Sequence, residues 1–124
     1  MTTWNTNDLD RLGATDEIRI AGQRADGTLR TPRIIWLVRH GDDLYVRGAH
    51  GPSTGWWRGT KTTGLGHISG ADVEQDVTFE DASNTLNAEL DAAYWNKYGK
   101  YPKQYVEPVT NATSHETTIR LVPR

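Results

Sequence analysis

Between positions 30 and 61 the chain gathers side chains that could hold an anion beside an aromatic ring. The stretch reads RTPRIIWLVRHGDDLYVRGAHGPSTGWWRGTK. Six bases, Arg30, Arg33, Arg39, Arg47, Arg58 and Lys61, face two acids, Asp42 and Asp43, while the formal net charge of the whole chain is -2. The positive character is therefore local. Arg47 and Arg58 bracket a loop containing Gly48, Gly51, Ser53, Thr54 and Gly55. Guanidinium forks match phosphate oxygens in pairs, and glycine lets backbone N–H groups approach an anion closely. Trp36, Trp56 and Trp57 supply indoles for the apolar walls of a ligand site. Together these types suggest capture of a phosphorylated aromatic ligand. The plain alternative is a surface loop whose arginines make exposed ion pairs of little energetic consequence.

Other chemistries lack their residues. Cysteine is absent, which removes disulfides, thiolate nucleophiles and zinc–thiolate sites. His40, His50, His67 and His115 show no HxH, HxxH or HExxH spacing, so no metal site is expected. His50 alone lies in the glycine-rich loop and is a candidate ligand contact. Gly51-Pro52-Ser53-Thr54-Gly55 resembles a phosphate loop but lacks the GK[ST] ending of nucleoside-triphosphate hydrolases. Neither a nucleophile elbow nor a dinucleotide fingerprint occurs. Glu89 and Asp91 read as the solvated face of a helix. Asn111-Ala112-Thr113 matches a glycosylation acceptor, with nothing beside it to suggest secretion. A net charge of -2 argues against nucleic-acid binding, which rests on neutralising phosphates.

The elements that must position these residues are short and mostly extended. A length of 124 residues, 35% hydrophobic and 24% charged, fits one globular domain over residues 1–124. No apolar run approaches a membrane span, and the first ten residues lack the basic and apolar regions of a secretory signal. A cytoplasmic location is the resulting expectation. Residues 7–12 read as a short helix capped by Thr6 or Asn7 and stopped by Gly13. Residues 17–20 alternate as a strand, and Asp26-Gly27 signals a type I′ hairpin turn. The continuous apolar run 34–38 predicts a strand buried on both faces, followed by a turn at 41–43 and a second strand over 44–47. Residues 56–62 read as one or two helical turns, with one of Trp56 and Trp57 in the core and the other exposed. Residues 66–70 form a short strand. Val73, Gln75, Val77 and Phe79 share one face of the next. Residues 84–98 form the main helix, with Leu86, Leu90, Ala93 and Tyr94 on one side and Ala88, Ala92 and Trp95 nearly opposite. Gly99 is placed to end it. Residues 101–108 read as irregular or briefly helical, and 117–122 as a final strand. Such a series of short strands with one late helix predicts a mainly β (α+β) chain, a small β-barrel with helical additions.

RTPRIIWLVRHGDDLYVRGAHGPSTGWWR, DAAYWNKYGKY and the terminal TTIRLVPR resemble the domain-of-unknown-function 2255 family of bacterial proteins, over nearly the whole chain. More distantly, the order of apolar strand, Gly-Asp turn, Tyr-Val strand, Gly/Ser loop and Trp-led helix resembles the flavin-binding split barrel. That superfamily includes pyridoxamine-phosphate oxidases and deazaflavin-dependent nitroreductases. The resemblance implies a split β-barrel homodimer that holds FMN or a deazaflavin between subunits, with a redox role toward a small organic substrate. Carried over by position, it implies cofactor contacts from Arg33, Arg47, Ser53 and Arg58, with Trp36 and Trp57 near the ring system. His50 and Gly51 join this set as candidates from the loop itself. The chain departs from the oxidases in lacking their lysine at the end of the first strand, where Arg39 is the nearest substitute. It also lacks a basic end to the loop before Trp56. The alternative expectation is a non-enzymatic module that binds a small anion on the same barrel.

Overall fold

The computed structural model describes residues 3–82 and 84–124. Seven strands, β1 (Ile18–Gly22), β2 (Arg33–Ile35), β3 (Val38–His40), β4 (Asp43–Val46), β5 (Leu65–Gly70), β6 (Val73–Asp81) and β7 (Ile119–Pro123), form one antiparallel sheet. Its order is β2-β1-β5-β6-β7-β4-β3. Helix α1 (Thr6–Ala14) precedes it, α2 (Gly55–Thr60) follows β4, and α3 (Asn87–Tyr98), α4 (Lys103–Val106) and α5 (Ala112–His115) lie between β6 and β7.

The starts of α1 and α5 follow from side-chain capping. Asn5 accepts a hydrogen bond from the Asp8 N–H, so α1 begins a residue earlier than its sequence suggests. It also runs through Gly13, where a Cβ would lie 3.2 Å from the Arg39 side chain. That glycine makes room for Arg39 to reach Asp10 at 2.7 Å. Asn111 caps α5 by accepting from the Ser114 N–H, so the apparent glycosylation acceptor serves here as a cap.

The hairpins show which turns were legible. At Asp26-Gly27 only Gly27 has positive φ, and the Gly27 N–H donates to the Arg24 carbonyl. This is one left-handed glycine beside an ordinary turn, not the two positive angles of type I′. The β5–β6 turn, in contrast, has both central residues left-handed, Ala71 at φ 49° and Asp72 at φ 64°. It is the type I′ pattern without its usual Asn-Gly signal.

The apolar run 34–38 is not one strand. Arg33–Ile35 pairs with β1 at one edge of the sheet, and Val38–His40 pairs with β4 at the other. Trp36 and Leu37 form the corner that carries the chain between the two edges and curls the sheet. Ile34 is 59% exposed, so the run is not buried on both faces. The strand buried on both faces is β4. Leu44 and Val46 join the barrel interior with Ile20, Ile68, Val77, Ile119 and Leu121. Tyr45 faces outward and packs in a second layer with Val38, Leu90, Tyr94 and Tyr98. Leu90, Tyr94 and Tyr98 recur every four residues and form the buried stripe of α3. Its opposite side, Ala88, Ala92 and Trp95, is exposed.

The corner leaves Leu37 fully buried with its peptide groups outside any ladder. Helix α3 satisfies them. The Leu37 N–H donates to the Tyr98 hydroxyl at 3.1 Å, and Lys97 Nζ donates to the Leu37 carbonyl at 2.9 Å. The Tyr98 hydroxyl has one proton for two carbonyls within reach, Asp16 at 2.7 Å and Leu37 at 2.9 Å. Lys97 therefore covers Leu37 whenever Tyr98 donates to Asp16.

Burial lowers the Lys97 pKa from 10.5 to about 8, with Asp16 opposing and Lys100 reinforcing the shift. Between these values the unfolded chain holds a proton that the folded chain has released. Stability therefore rises with pH in that window. The neutral amine still donates to Leu37. Tyr94 and Tyr98 are pushed upward by burial, and their opposite effect starts only near the ordinary tyrosine value of 10. Melting curves should show a Tm that climbs from pH 8 to about 9.5, and Lys97→Met should flatten the climb. An equal climb in both proteins would assign it to another group.

Candidate functional site

Trp36 projects from the corner and stacks on Tyr98 with ring centroids 3.9 Å apart and planes 3° from parallel. Tyr98 is itself fixed by the Leu37 and Asp16 backbone, so this indole stands on a rigid support. Tyr101 lies 5.5 Å from Trp36 and donates its hydroxyl to Asp16 at 2.6 Å. That bond and Lys100 hold the Asp16 carboxyl below its usual range.

Trp36 forms one wall of a cleft of about 610 Å³, within the ordinary range for a small-molecule site. Ile34, Ile35, Ala49, Trp56, Tyr105 and Val109 complete its apolar surface. Glu17, Arg33, His50 and Thr54 are its polar members, and Arg47 lies behind the wall. Arg33 is exposed on β2 and makes no ion pair or side-chain hydrogen bond among the described residues. The His50 ring is likewise free of partners there. Another cleft, of about 540 Å³, shares Glu17 with the first and adds Asp72 and Glu74 against the single base Arg19; with no indole and an excess of acids it suits an anionic aromatic ligand less well.

The structure brings Arg33, Trp36 and His50 together around the 610 Å³ cleft. It places the other candidates differently. The Arg47 guanidinium is completely buried. Its Nη1 donates to Asp91 at 2.5 Å and to the Val109 carbonyl at 2.9 Å, and its Nε donates to Thr118 Oγ1 at 2.9 Å. The guanidinium also lies 5.6 Å from the Tyr94 ring centre. These donors are already engaged, so Arg47 braces α3 against β4 and the 109–118 segment. Asp91 is correspondingly no solvated helix carboxylate, since His115 Nε2 also contacts it at 2.9 Å.

The glycine-rich loop is closed on itself. The N–H groups of Gly48, His50, Gly51, Ser53 and Thr54 donate to Thr117 Oγ1, Thr54 Oγ1, and the carbonyls of Gly48, His50 and Gly51. Gly51 is buried at φ 60°, and a Cβ there would fall 2.1 Å from Thr113 Cγ2. Its glycine serves this tight turn against α5. Ser53 and Arg58 are exposed and lie outside the cleft. Trp56 and Trp57 are both half-buried against the core, rather than one in and one out. Trp57 borders a separate cleft with Lys61, and the Lys61 amine sits 4.9 Å from its ring centre.

The site thus contains Trp56, Tyr105 and Val109 beside the expected Trp36. Trp56 was visible as an indole but not as a wall. Tyr105 and Val109 come from a segment without periodicity, and no sequence signal marks them.

A mainly β chain whose antiparallel seven-stranded sheet curls into a half-barrel, with helices outside it, is a split barrel. The chain belongs to the family described as "Uncharacterized protein conserved in bacteria (DUF2255)", whose model matches residues 8–121. No curated protein matches it. Among solved structures it resembles the heme storage protein HutZ from Vibrio cholerae, with TM-score 0.68 and 12% identity over 100% of this chain and 92% of that one. It resembles an F420-H2 dependent reductase, with TM-score 0.61 and 12% identity over 86% and 93%. It also resembles an FAD-binding protein from Mesorhizobium loti, with TM-score 0.61 and 16% identity over 98% and 91%. At such identities the likeness establishes the fold. Among the described residues no helix is long and apolar enough to cross a membrane.

The bracing role of Arg47 is testable in the unliganded protein. Arg47→Met leaves Asp91 without its main cation in a part-buried place and should destabilise by about 3 kcal/mol. Arg58→Ala, at an exposed position, should stay within about 0.5 kcal/mol of the parent. Urea denaturation measures both. Equal stability of Arg47→Met and the parent would free Arg47 for another role.

Proposed function

We propose that the 610 Å³ cleft binds a flavin-type cofactor, FMN or a deazaflavin, through its ring system and an attached phosphate. The observation that carries this reading is the juxtaposition of two indoles, Trp36 and Trp56, with an unpaired guanidinium, Arg33, in one cleft of suitable size. The donor set fits a planar group bearing an anion. Trp36 is held rigid by Tyr98 and offers its surface at little entropic cost. Arg33 has all its donors available for a phosphate. His50 adds a neighbouring polar contact. Arg47 acts through position, by fixing the strand end and the Val109 carbonyl behind the wall. Flavin-type neighbours on the same fold support the reading.

A group of this class supplies hydride chemistry when bound, and the protein supplies binding, orientation and exclusion of water. In this chain Trp36 and Trp56 orient a ring and shield it from solvent. Arg33 anchors its charge. Redox action on a small organic substrate follows from this reading, and anion binding without turnover is its non-enzymatic form. The reading includes a homodimer. Ile34 and Tyr105, 59% and 57% exposed at the cleft, would be covered by a second copy.

Titration with FMN, or with a deazaflavin of the same phosphate class, should quench ligand fluorescence as it meets an indole. At 100 times its Kd the ligand should stabilise the protein by about 2.7 kcal/mol. Arg33→Ala should weaken binding by about 1.5–3 kcal/mol, and Trp36→Ala should reduce the quenching. Arg58→Ala should change neither. Unchanged emission and melting with both ligands at saturating protein would overturn the reading. Sedimentation of the same samples should give a dimer, and a monomer at tens of micromolar would remove the homodimer.

A further inference from the structure

We propose that the cleft continues into an arginine-lined chamber that takes a second anionic group, so that its ligand carries a charged tail beyond the first phosphate. This rests on the cleft reading above for the ring, and on separate residues for the tail. The chamber, of about 300 Å³, shares Arg33, Gly55 and Trp56 with the cleft. Its other polar side chains are Arg24, Arg30 and Thr31, and no carboxylate lines it. Three guanidiniums thus border one small space in a chain of net charge -2.

Their partners explain why this is a site and not a solvated patch. Among the described residues none of the three makes an ion pair, although eight other basic side chains and histidines do. Arg24 Nη1 donates to the Leu29 carbonyl at 2.7 Å and to Thr28 Oγ1 at 3.2 Å. Asp26, in the same turn, instead accepts from the Thr28 N–H and hydroxyl. Arg30 Nη2 donates to Thr62 Oγ1 at 2.9 Å, and its Nε is buried without a partner. The Arg30 stem crosses α2 at Gly59, where a Cβ would meet its Cδ at 2.8 Å. Neutral groups therefore accept the hydrogen bonds that hold Arg24 and Arg30 in place; Asp26 acts on Arg24 through space without bonding to it, and no carboxylate lines the chamber. Positioned guanidiniums that no carboxylate bonds match the oxygens of a phosphate or diphosphate. The glycine at 59 is what lets Arg30 lie there.

The ligand class is a planar aromatic with at least two anionic groups along one tail. The probes are inorganic tripolyphosphate, FMN and FAD, each titrated by calorimetry into the full chain. Tripolyphosphate should bind in a salt-sensitive manner, and FAD should bind at least about tenfold more tightly than FMN. Arg24→Gln, an exposed substitution, should weaken tripolyphosphate by about tenfold and abolish the FAD advantage while leaving FMN unchanged. Arg30→Gln should act likewise, and its melting temperature reports whether it still folds. If FMN binds while tripolyphosphate does not, or Arg24→Gln alters neither probe, the chamber is overturned and the cleft reading stands. If tripolyphosphate binds through Arg24 and neither flavin binds, the chamber stands and the flavin reading falls.

Discussion

The fold hinges on two buried peptide groups of one residue. Leu37 sits where the chain leaves one edge of the sheet and joins the other, and no strand is available there to accept its N–H or donate to its carbonyl. An unpaired buried peptide group costs about 1–3 kcal/mol, so the corner is viable only if something else supplies the partners. The end of α3 does so, with the Tyr98 hydroxyl and the Lys97 amine. This attachment fixes the end of α3 and the orientation of Trp36 at the corner, while the Arg47–Asp91 pair holds the helix nearer its start. Burying a lysine to complete it perturbs that lysine, and the perturbation is part of the same design.

From the corner, two kinds of arginine emerge. Arg47 is enclosed by Asp91, Thr118 and Val109, and its charge is used within the protein. Arg24 and Arg30 donate only to neutral acceptors, and Arg33 donates to none among the described residues. Sequence chemistry treats these four alike, since each is a guanidinium near a turn or strand end. The difference lies in where carboxylates are in space. A charge that the fold neutralises holds elements together, and one that it leaves open attracts an ion. This division also sets the glycine-rich loop apart from the anion site proposed above. Its amides are spent on its own turn, while a β-hairpin supplies the open charge.

Local patterns revealed much of the architecture. The alternation in β1 and β6, the Gly41 turn, the α2 turns and the helix over 84–98 are all visible over a few residues. What could not be read depends on distant partners. The run 34–38 is apolar throughout, and an apolar run does not report that its two halves pair with different strands. Ala71-Asp72 carries no glycine, so a turn with two left-handed residues was hidden. Asp91 reads as exposed until Arg47, far along the chain, is placed beside it. For the site, Arg33, Trp36 and His50 were recognisable as chemical types. Arg30 stood out only as one base of a basic stretch, and Tyr105, Val109 and Arg24 did not stand out, because nothing in their neighbourhood marks them.

The place of β7 has a kinetic consequence. The sheet consists of two sections, β2-β1-β5-β6 and β4-β3, and β7 is the strand between them. The β5–β6 and β3–β4 hairpins close over two residues and can form within microseconds. Seating β7 requires Leu44 and Phe79 both to find Leu121, which lies far along the chain from each. Such closure is entropically slow. Until it occurs, β6 and β4 each present an unpaired edge to other molecules. Refolding is therefore a competition between β7 and neighbouring chains for the same hydrogen bonds, and its yield falls as protein concentration rises.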